Sequence, residues 1–462
     1  MTNYEKRNQF TFGLGTIGRD MLYTMVSMYL LVYLTEILNL PDSIMWWMTG
    51  ALTVLRIFDA FNDPIMGFLV DNTRSKRFGK FKLWIIVGGL IGGIFTILLF
   101  TDFGLSGVAY IVSFVVIYLM WDLTYGANDI AYWSMLPSLS LDQKQREKTG
   151  AFARICANIG MYVIVVGILP ITKALGGDKR AWFILACAVV LITWAFLSFT
   201  IFGVRENRSI SVKQEGTSLK EMFKILFKND QLLFTAISMA LFMIGYCTTT
   251  SFGVYFFKYA FKNEGMYSVF AGILGVSQLA ALLIFPVFSK RYTRKQLYTF
   301  ATILVVIGYI IFFFAPMNML PIGLAGILIF IGQAFIQLLM LMFLTDTVEY
   351  GQWKFGHRND SITFSVQPFI NKIGGAIASG IVGITLIISS INSSATPDDV
   401  PESGILIMKF AMLIIPLISI FCGYLVYRFK FKITKEMFDS IVKDLEERGD
   451  ITTQDTVSSE IE

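Results

Sequence analysis

The sequence predicts an all-α membrane protein with twelve transmembrane helices arranged in two six-helix bundles. Three observations support this fold class: the chain is 55% hydrophobic with a mean hydropathy of +0.64, its apolar residues form long runs, and its basic residues fall on alternate loops. A helix needs about 20 predominantly apolar residues to cross a bilayer, and soluble domains are about half apolar at most. The lipid bilayer is therefore the expected environment, and no nucleic-acid partner is expected.

Each predicted span is an apolar run bounded by polar or turn-forming residues. The runs lie near 21–40, 44–70, 83–101, 106–137, 150–173, 181–204, 231–261, 266–289, 298–316, 318–348, 362–391 and 404–427. The longest polar interruption falls midway along the chain, as in transporters built from two pseudo-symmetric bundles. The predicted domains are an N-terminal bundle at 1–204, a central loop at 205–230, a C-terminal bundle at 231–430 and a tail at 431–462.

The loops after the second, fourth, sixth, eighth and tenth spans carry the basic residues, for example Lys144, Arg146 and Lys148. Three loops on the opposite side, NLPDS, TDFGLSG and SSINSSATPDDVPES, carry neither Lys nor Arg. Basic loops stay on the cytoplasmic side of a membrane. We therefore expect a multi-pass protein of the cell membrane, inner or plasma, with both termini and the central loop in the cytoplasm.

In the tail, Ile433, Met437, Ile441 and Leu445 recur at helical spacing. This spacing predicts a short amphipathic helix, followed by an acidic and disordered end. The simplest interpretation is a solvated tail that lies on the membrane surface.

The glycines of GLGTIG, residues 13–18, match the dinucleotide-binding pattern letter for letter. That pattern requires a preceding strand and a helix N-terminus, whereas here a polar segment precedes and a membrane span follows. The glycines therefore predict close helix packing in the first span, and no cofactor is expected.

The segment RIFDAFNDPIMG, residues 56–67, places two aspartates inside a membrane span. An aspartate near the bilayer centre costs roughly 2.5–3.5 kcal/mol, and such residues mark transport pathways. Asp59 and Asp63 are four residues apart and share a helix face, with Asn62 close to Asp59. Their oxygens suit a small cation or a proton. The alternative is a structural ion pair between Asp59 and Arg56, although Asp63 has no such partner within its own helix.

A second polar stripe lies in the fourth span, WDLTYGANDIAYWSM. Tyr125, Asp129 and Trp133 are spaced by four and share one helix face. A sugar requires a carboxylate that accepts from two hydroxyls and an aromatic plate that covers the apolar face of the ring. Trp133 alone is equally consistent with an interfacial anchor or a core residue, but Asp129 one turn earlier favours a ligand site.

Four further charges fall inside or at the edge of predicted spans. These are Asp20, Asp122, Arg154 and Lys372. The two basic residues are either structural counter-ions for the carboxylates or donors to ligand hydroxyls.

Together these stretches resemble the glycoside–pentoside–hexuronide:cation symporters, the family that includes the melibiose carrier. The similarity is carried by GLGTIGRD, RIFDAFNDPIMG, TRSKRFGKFKLW, NDIAYWSMLPSL and DTVEYGQWK, and by Lys372 further on. The D-x-x-N-D-P-x-M-G block is the most specific of these motifs. The resemblance implies a major-facilitator fold, with the sugar and the coupling cation bound in the N-terminal half.

The resemblance also implies roles for individual residues. Asp59, Asn62 and Asp63 match cation-binding positions, and Asp59 and Asp63 would be the metal ligands if the cation is Na+. The sugar-binding set comprises Asp20, Asp129, Trp133 and Arg154, with Lys372 across the cavity and Tyr125 on the same face of the fourth span. Melibiose-type carriers have a threonine where this chain has Gly126, so one oxygen is missing and H+ is at least as well suited as Na+. Asp122 has no match in those carriers.

The sequence thus predicts a secondary active symporter, not an enzyme, that imports a glycoside or pentoside with H+ or Na+. A xyloside or a galactoside would satisfy the site, and the transporter is expected to act as a monomer. One alternative is a drug/proton antiporter of the major-facilitator type, which favours a large apolar cavity over a carboxylate–tryptophan pair. Another is a non-transporting sugar sensor, which would need an output domain that the sequence does not carry.

Overall fold

The computed structural model is built from long helices, and it describes residues 3–38, 40–73, 75, 79–205, 227–263, 265–391 and 397–451. Twelve long helices follow one another: α1 Asn3–Val32, α2 Asp42–Asn72, α3 Phe81–Leu99, α4 Gly107–Ser134, α5 Gln143–Ala174, α6 Lys179–Ser198, α7 Asp230–Tyr255, α8 Met266–Arg291, α9 Arg294–Phe314, α10 Met319–Phe355, α11 Asp360–Ile388 and α12 Glu402–Lys430. Within the described ranges, the ten helices α3 to α12 are long and apolar enough to cross a membrane. With α1 and α2, of 30 and 31 residues, they confirm the predicted twelve-helix, all-α architecture.

The helix ends follow local capping chemistry. The side chain of Asp142 accepts a hydrogen bond from the backbone N–H of Lys144 at the start of α5, and Asp178 caps α6 in the same way. Thr293 and Gln296 form a reciprocal capping box at the start of α9. Three helices continue into a π turn, at Tyr33–Ile37 after α1, Phe199–Gly203 after α6 and Phe256–Ala260 after α7.

One compact unit comprises Met1–Leu226, Val348–Ser365 and Phe438–Glu462, and so holds helices α1 to α6. In this unit α1 packs closely against α5 and α6. A Cβ atom at Gly160 would lie 2.2 Å from the backbone oxygen of Ile17, and one at Gly18 would lie 2.5 Å from the Cα of Thr193. A Cβ at Gly13 would meet a side chain of α5 at 2.2 Å, so the predicted packing role of the GLGTIG glycines is confirmed.

The second compact unit comprises Phe227–Thr347 and Val366–Met437. Here α7 packs against α12 through small residues: a Cβ at Gly423 would lie 2.9 Å from the backbone oxygen of Ser238, whose hydroxyl donates to the oxygen of Gly423 at 2.7 Å. The hydroxyls of Thr249 and Tyr309 lie 2.5 Å apart and join α7 to α9. Such small-residue contacts and interhelical hydrogen bonds hold membrane helices together, because lipid provides no hydrophobic driving force.

Residues 348–365, at the end of α10 and the start of α11, join the first unit through buried ion pairs. Arg146 donates two hydrogen bonds to Glu349, at 3.0 and 2.6 Å, and both side chains are fully buried. Arg358 donates to the same carboxylate at 3.2 Å. The carboxylate of Asp71 accepts from two backbone N–H groups at the start of α11 and pairs with Lys80 at 2.5 Å. The sequence alone indicated only a topological role for these basic residues.

The tail forms the predicted amphipathic helix, α13, at Lys435–Glu447. Its apolar face is buried, with Phe438, Ile441 and Leu445 each at most 2% exposed. The indole N–H of Trp353 donates to Asp444 at 3.0 Å. The interpretation of the tail as a solvated segment on the membrane surface is therefore wrong, because this face packs against the protein. The predicted acidic end, 452–462, lies outside the described residues.

Candidate functional site

The centre of the candidate site is an ion pair between α1 and α4. Arg19 of α1 pairs with the carboxylate of Asp129, and its Nε donates to the side-chain oxygen of Asn128 at 2.9 Å. The amide of Asn128 in turn donates to the backbone oxygen of Ile85 in α3 at 2.9 Å. Arg19 is 2% exposed, whereas the side chain of Asp129 is 25% exposed. A buried guanidinium requires a carboxylate partner to compensate its charge. The carboxylate of Asp129 is in addition partly exposed and can contact a ligand.

Two arginines in this region lie over aromatic rings of α4. The guanidinium of Arg154, from α5, lies 4.5 Å from the ring centre of Trp133. That of Arg19 lies 4.3 Å from the ring centre of Tyr132. Among the described residues, Nη1 of Arg19 and Nε of Arg154 are buried without a hydrogen-bond partner. Both arginines therefore have donors left for a ligand, and the stacking holds each guanidinium in place.

The remaining predicted sugar-site residues of the first unit lie close by. Asp20 is half-buried and interacts electrostatically with Arg19, Asp129 and Arg154. Tyr125 is stacked between two aromatic rings, those of Tyr23 at 5.1 Å and Trp121 at 5.5 Å. The structure thus brings Asp20, Asp129, Trp133 and Arg154 into one region of the first unit, next to Tyr125.

Lys372 lies on α11 within the second unit, where it is half-buried. Its role across the cavity, like the individual roles of the other site residues, stays a prediction.

The predicted cation residues lie on α2. Asp63 is 1% exposed and Asn62 is 5% exposed, while Asp59 is half-buried. A Cβ atom at Gly126 of α4 would lie 3.9 Å from a carboxylate oxygen of Asp63, and among the described residues no other atom beyond the helix's own backbone lies within 4 Å of it. Gly126 therefore lies beside Asp63. The alternative Asp59–Arg56 ion pair involves the Arg56 side chain, which lies outside the described part of the structure.

Arg19 and Asn128 lie in the candidate site and were not predicted from the sequence. The first span was predicted to begin near residue 21, and no role was predicted for Arg19 just before it. The helix begins at Asn3, so Arg19 lies well inside it. The available signal was the motif GLGTIGRD itself, in which an arginine directly precedes the predicted sugar-site Asp20.

Comparison with known proteins identifies the family. The sequence model of the MFS/sugar transport protein family matches residues 11–435. The chain belongs to this family. Within it, the raffinose carrier protein of Pediococcus pentosaceus is 34% identical over 453 residues, covering 94% of this chain and 70% of the relative. The lactose permease of Lactobacillus delbrueckii subsp. bulgaricus is 34% identical over 455 residues, covering 95% and 72%.

A more distant member of the MFS/sugar transport family, the isoprimeverose transporter of Lactiplantibacillus pentosus, is 26% identical over 385 residues and covers 82% of this chain and 79% of the relative. Among solved structures, the transporter FucP in its outward conformation superposes with a TM-score of 0.66 at 13% identity, covering 93% of this chain and 99% of FucP. The proton:xylose symporter XylE gives 0.60 at 15% identity, covering 95% and 99%. The predicted major-facilitator fold and symporter family are confirmed, and the antiporter and sensor alternatives are not favoured.

Proposed function

We propose that this membrane protein imports a glycoside or pentoside oligosaccharide together with H+ or Na+. The observation that carries the proposal is the meeting of α1, α4 and α5 at Arg19, Asp129 and Arg154, with an indole beneath one guanidinium. The relatives named for raffinose, lactose and isoprimeverose support a sugar with at least two rings.

The sugar would bind between charged donors and acceptors of the first unit. The exposed side of the Asp129 carboxylate would accept from ring hydroxyls, while the unpartnered N–H groups of Arg19 and Arg154 would donate to them. Trp133 would face the apolar side of the sugar ring. A hydrogen bond to a charged group contributes about 1.5–3 kcal/mol to binding. A few such bonds bind a sugar firmly enough for transport and still allow its release on the other side of the membrane.

The coupling cation would bind on α2 at Asp59, Asn62 and Asp63. Gly126 lies beside Asp63 and has no side-chain oxygen, which supports H+ as the coupling ion at least as well as Na+. Binding of the cation compensates the charge of the carboxylates. One cation moving down 100 mV supplies about 2.3 kcal/mol, enough for roughly 50-fold accumulation of sugar.

Labelled lactose, raffinose and isoprimeverose in right-side-out vesicles would test this function. We expect counterflow of at least one sugar, and uphill uptake when a sodium or proton gradient is imposed. The variants Asp59→Asn and Asp63→Asn should lose uphill uptake and keep exchange, since the sugar residues remain. Vesicles that exchange none of these sugars would refute the proposed substrate class, and uphill uptake by the doubly neutralised variant would place coupling elsewhere.

We further propose that both termini and the basic connections lie in the cytoplasm of a monomeric plasma-membrane protein. The basic residues on one set of loops support this orientation, because their translocation is costly. A cysteine placed at Asp398 or Asp399 should react with an impermeant thiol reagent from outside intact cells. Reaction only after permeabilisation would show the opposite orientation.

A further inference from the structure

Arg19 forms hydrogen bonds with two consecutive residues of α4, and the proposed transport function uses only one of them. Its Nη2 donates to one carboxylate oxygen of Asp129, and its Nε donates to the side-chain oxygen of Asn128 at 2.9 Å. Asn128 is 2% exposed, so it is buried beside the guanidinium. Any effect of Asn128 on a bound sugar therefore passes through Arg19.

The amide of Asn128 is fixed by helix α3. Its Nδ2 donates to the backbone oxygen of Ile85 at 2.9 Å. A glycine allows the two helices to approach so closely: a Cβ at Gly88 would lie 2.9 Å from the Cβ of Asn128. A carbonyl only accepts and a guanidinium only donates, so the two bonds together allow one orientation of the amide. The side-chain oxygen of Asn128 thus points to Arg19.

The aromatic contact of Arg19 does not select one rotation of its guanidinium. The central carbon of this group lies 4.3 Å from the ring centre of Tyr132, whose hydroxyl donates to the backbone oxygen of Phe12. A cation over an aromatic face is attracted by the ring as a whole. A turn of the guanidinium about its own centre therefore leaves this attraction in place, whereas it breaks the bond from Nε to Asn128.

The ion pair between Arg19 and Asp129 consists of a single hydrogen bond. Among the described residues, neither Nη1 of Arg19 nor the second carboxylate oxygen of Asp129 has a hydrogen-bond partner. Arginine and a carboxylate frequently form two parallel hydrogen bonds, and a buried N–H without a partner costs free energy. Nη1 and the second oxygen would satisfy each other in a pair with two bonds. Some other contact must therefore keep them apart.

We propose that Asn128 is a positioning residue of the sugar site, which limits the Arg19–Asp129 pair to one hydrogen bond and so reserves the second carboxylate oxygen of Asp129 for a sugar hydroxyl. By holding Nε, Asn128 prevents the guanidinium from turning both of its terminal nitrogens toward the carboxylate. The side chain of Asp129 is 25% exposed, which leaves room for a ligand at this carboxylate. This inference rests on the proposed transport function.

Equilibrium exchange in vesicles tests this role, with whichever of labelled lactose, raffinose and isoprimeverose the wild type exchanges. Asn128→Leu branches at the same carbon as asparagine and removes both hydrogen bonds. The half-saturation concentration should rise roughly 10-fold or more, as expected when a sugar hydroxyl loses one hydrogen bond to a charged group. The maximal rate per folded molecule should stay within about twofold of the wild type, because only the binding of sugar depends on this oxygen.

A double-mutant cycle with Arg19→Lys shows whether Asn128 acts through Arg19. Lysine keeps the positive charge opposite Asp129, but its single ammonium group has no counterpart of Nε and cannot form the planar pair with two bonds. In the Arg19→Lys background, adding Asn128→Leu should change the half-saturation concentration by less than about twofold. A rise by the same factor in both backgrounds would overturn the proposal, because Asn128 would then act independently of Arg19.

Ser238→Ala is the matched control for the loss of a buried hydrogen bond between helices. The Ser238 side chain is buried in the second unit and donates to the backbone oxygen of Gly423 at 2.7 Å, as Asn128 donates to that of Ile85. Ser238→Ala should lower the melting temperature and leave the half-saturation concentration unchanged. If Asn128→Leu gives this same pattern, Asn128 serves only the packing of α3 against α4, and the proposal is wrong.

Failure of this inference is distinguishable from failure of the proposed function. A wild-type protein that exchanges none of the three sugars refutes the function, and this inference with it, whereas exchange by the wild type with an unchanged half-saturation concentration in Asn128→Leu refutes the inference alone. If Asn128→Leu does not fold, Asn128→Ala, which needs no added space beside Gly88, takes its place with the same expected results. If Arg19→Lys exchanges no sugar, the single variants of Asn128 and Ser238 decide.

Discussion

Replacing Asp129 with asparagine removes the negative charge at the centre of the candidate site and keeps the shape of the side chain. Arg19, which is 2% exposed, then loses its carboxylate partner, while Asn128 still accepts from its Nε at 2.9 Å. Removing one partner of a buried ion pair costs about 3–5 kcal/mol. We expect a loss of stability at the lower end of this range, because asparagine still offers an acceptor to the guanidinium.

The same substitution should weaken sugar binding. The lost charge-assisted hydrogen bond is worth about 1.5–3 kcal/mol, which corresponds to a roughly 10- to 150-fold rise in the sugar's Kd. Isothermal titration of purified protein with lactose or raffinose measures the Kd, and thermal unfolding of the same samples measures the stability.

A double variant separates the two effects. Arg19→Gln together with Asp129→Asn removes both charges, so much of the lost stability should return because no buried charge is left unpaired. Sugar affinity should remain low, because both ligand groups are gone. Wild-type affinity in Asp129→Asn, or affinity restored in the double variant, would show that Asp129 serves the fold and not the sugar.

Three further predictions concern other parts of the first unit. Trp133→Ala should weaken sugar binding roughly 5- to 30-fold, because the apolar face of the sugar ring would lose buried contact area worth about 1–2 kcal/mol, measured by the same titration. Gly160→Ala should lower the melting temperature, since its Cβ would lie 2.2 Å from a backbone oxygen, whereas Gly272→Ala, whose Cβ would meet no atom of the described residues within 4 Å, should not. The hydrogen bond from Lys179 lowers the pKa of Asp102 in the folded protein. The pair therefore stabilises the fold above the unfolded pKa of about 3.9, and this contribution is lost as the pH falls through the folded pKa. Asp102→Asn should lower the melting temperature slightly at neutral pH, and this difference from the wild type should vanish in acid.

The fold was predictable because every helix that spans a bilayer needs about 20 predominantly apolar residues. Long apolar runs and alternating basic loops are sufficient to count helices, and the matches to the family and to FucP confirm that count. The predicted domain boundaries stay a prediction. Residues 348–365 belong to the first unit through ion pairs such as Arg146–Glu349, and linear hydropathy contains no information on such a pairing.

The candidate site was predictable only in part, because the sequence reports spacing within a helix and not contacts between helices. The spacing of Asp129 and Trp133 placed them on one face of a helix, and both lie in α4, while their roles stay a prediction. It could not show that Arg19 pairs with that carboxylate, since the two residues lie 110 positions apart. The first predicted span also began near residue 21 and left Arg19 outside it, whereas α1 begins at Asn3.

Helix α4 offers a physical route by which sugar and cation could influence each other. Gly126, beside the proposed cation ligand Asp63, and Asp129, in the ion pair with Arg19, are three residues apart, a rise of about 4.5 Å along the axis. A helix of this kind moves as a rigid element, so a shift of α4 toward α2 on cation binding would also move the carboxylate of Asp129 relative to α1.

Linkage then requires that bound sugar raise the affinity for the cation by the same factor by which bound cation raises the affinity for sugar, typically 5- to 150-fold for coupled sites. Titrations of each ligand in the presence and absence of the other should yield equal factors. Unequal factors would mean that at least one of the two titrations reports something other than equilibrium binding to this site.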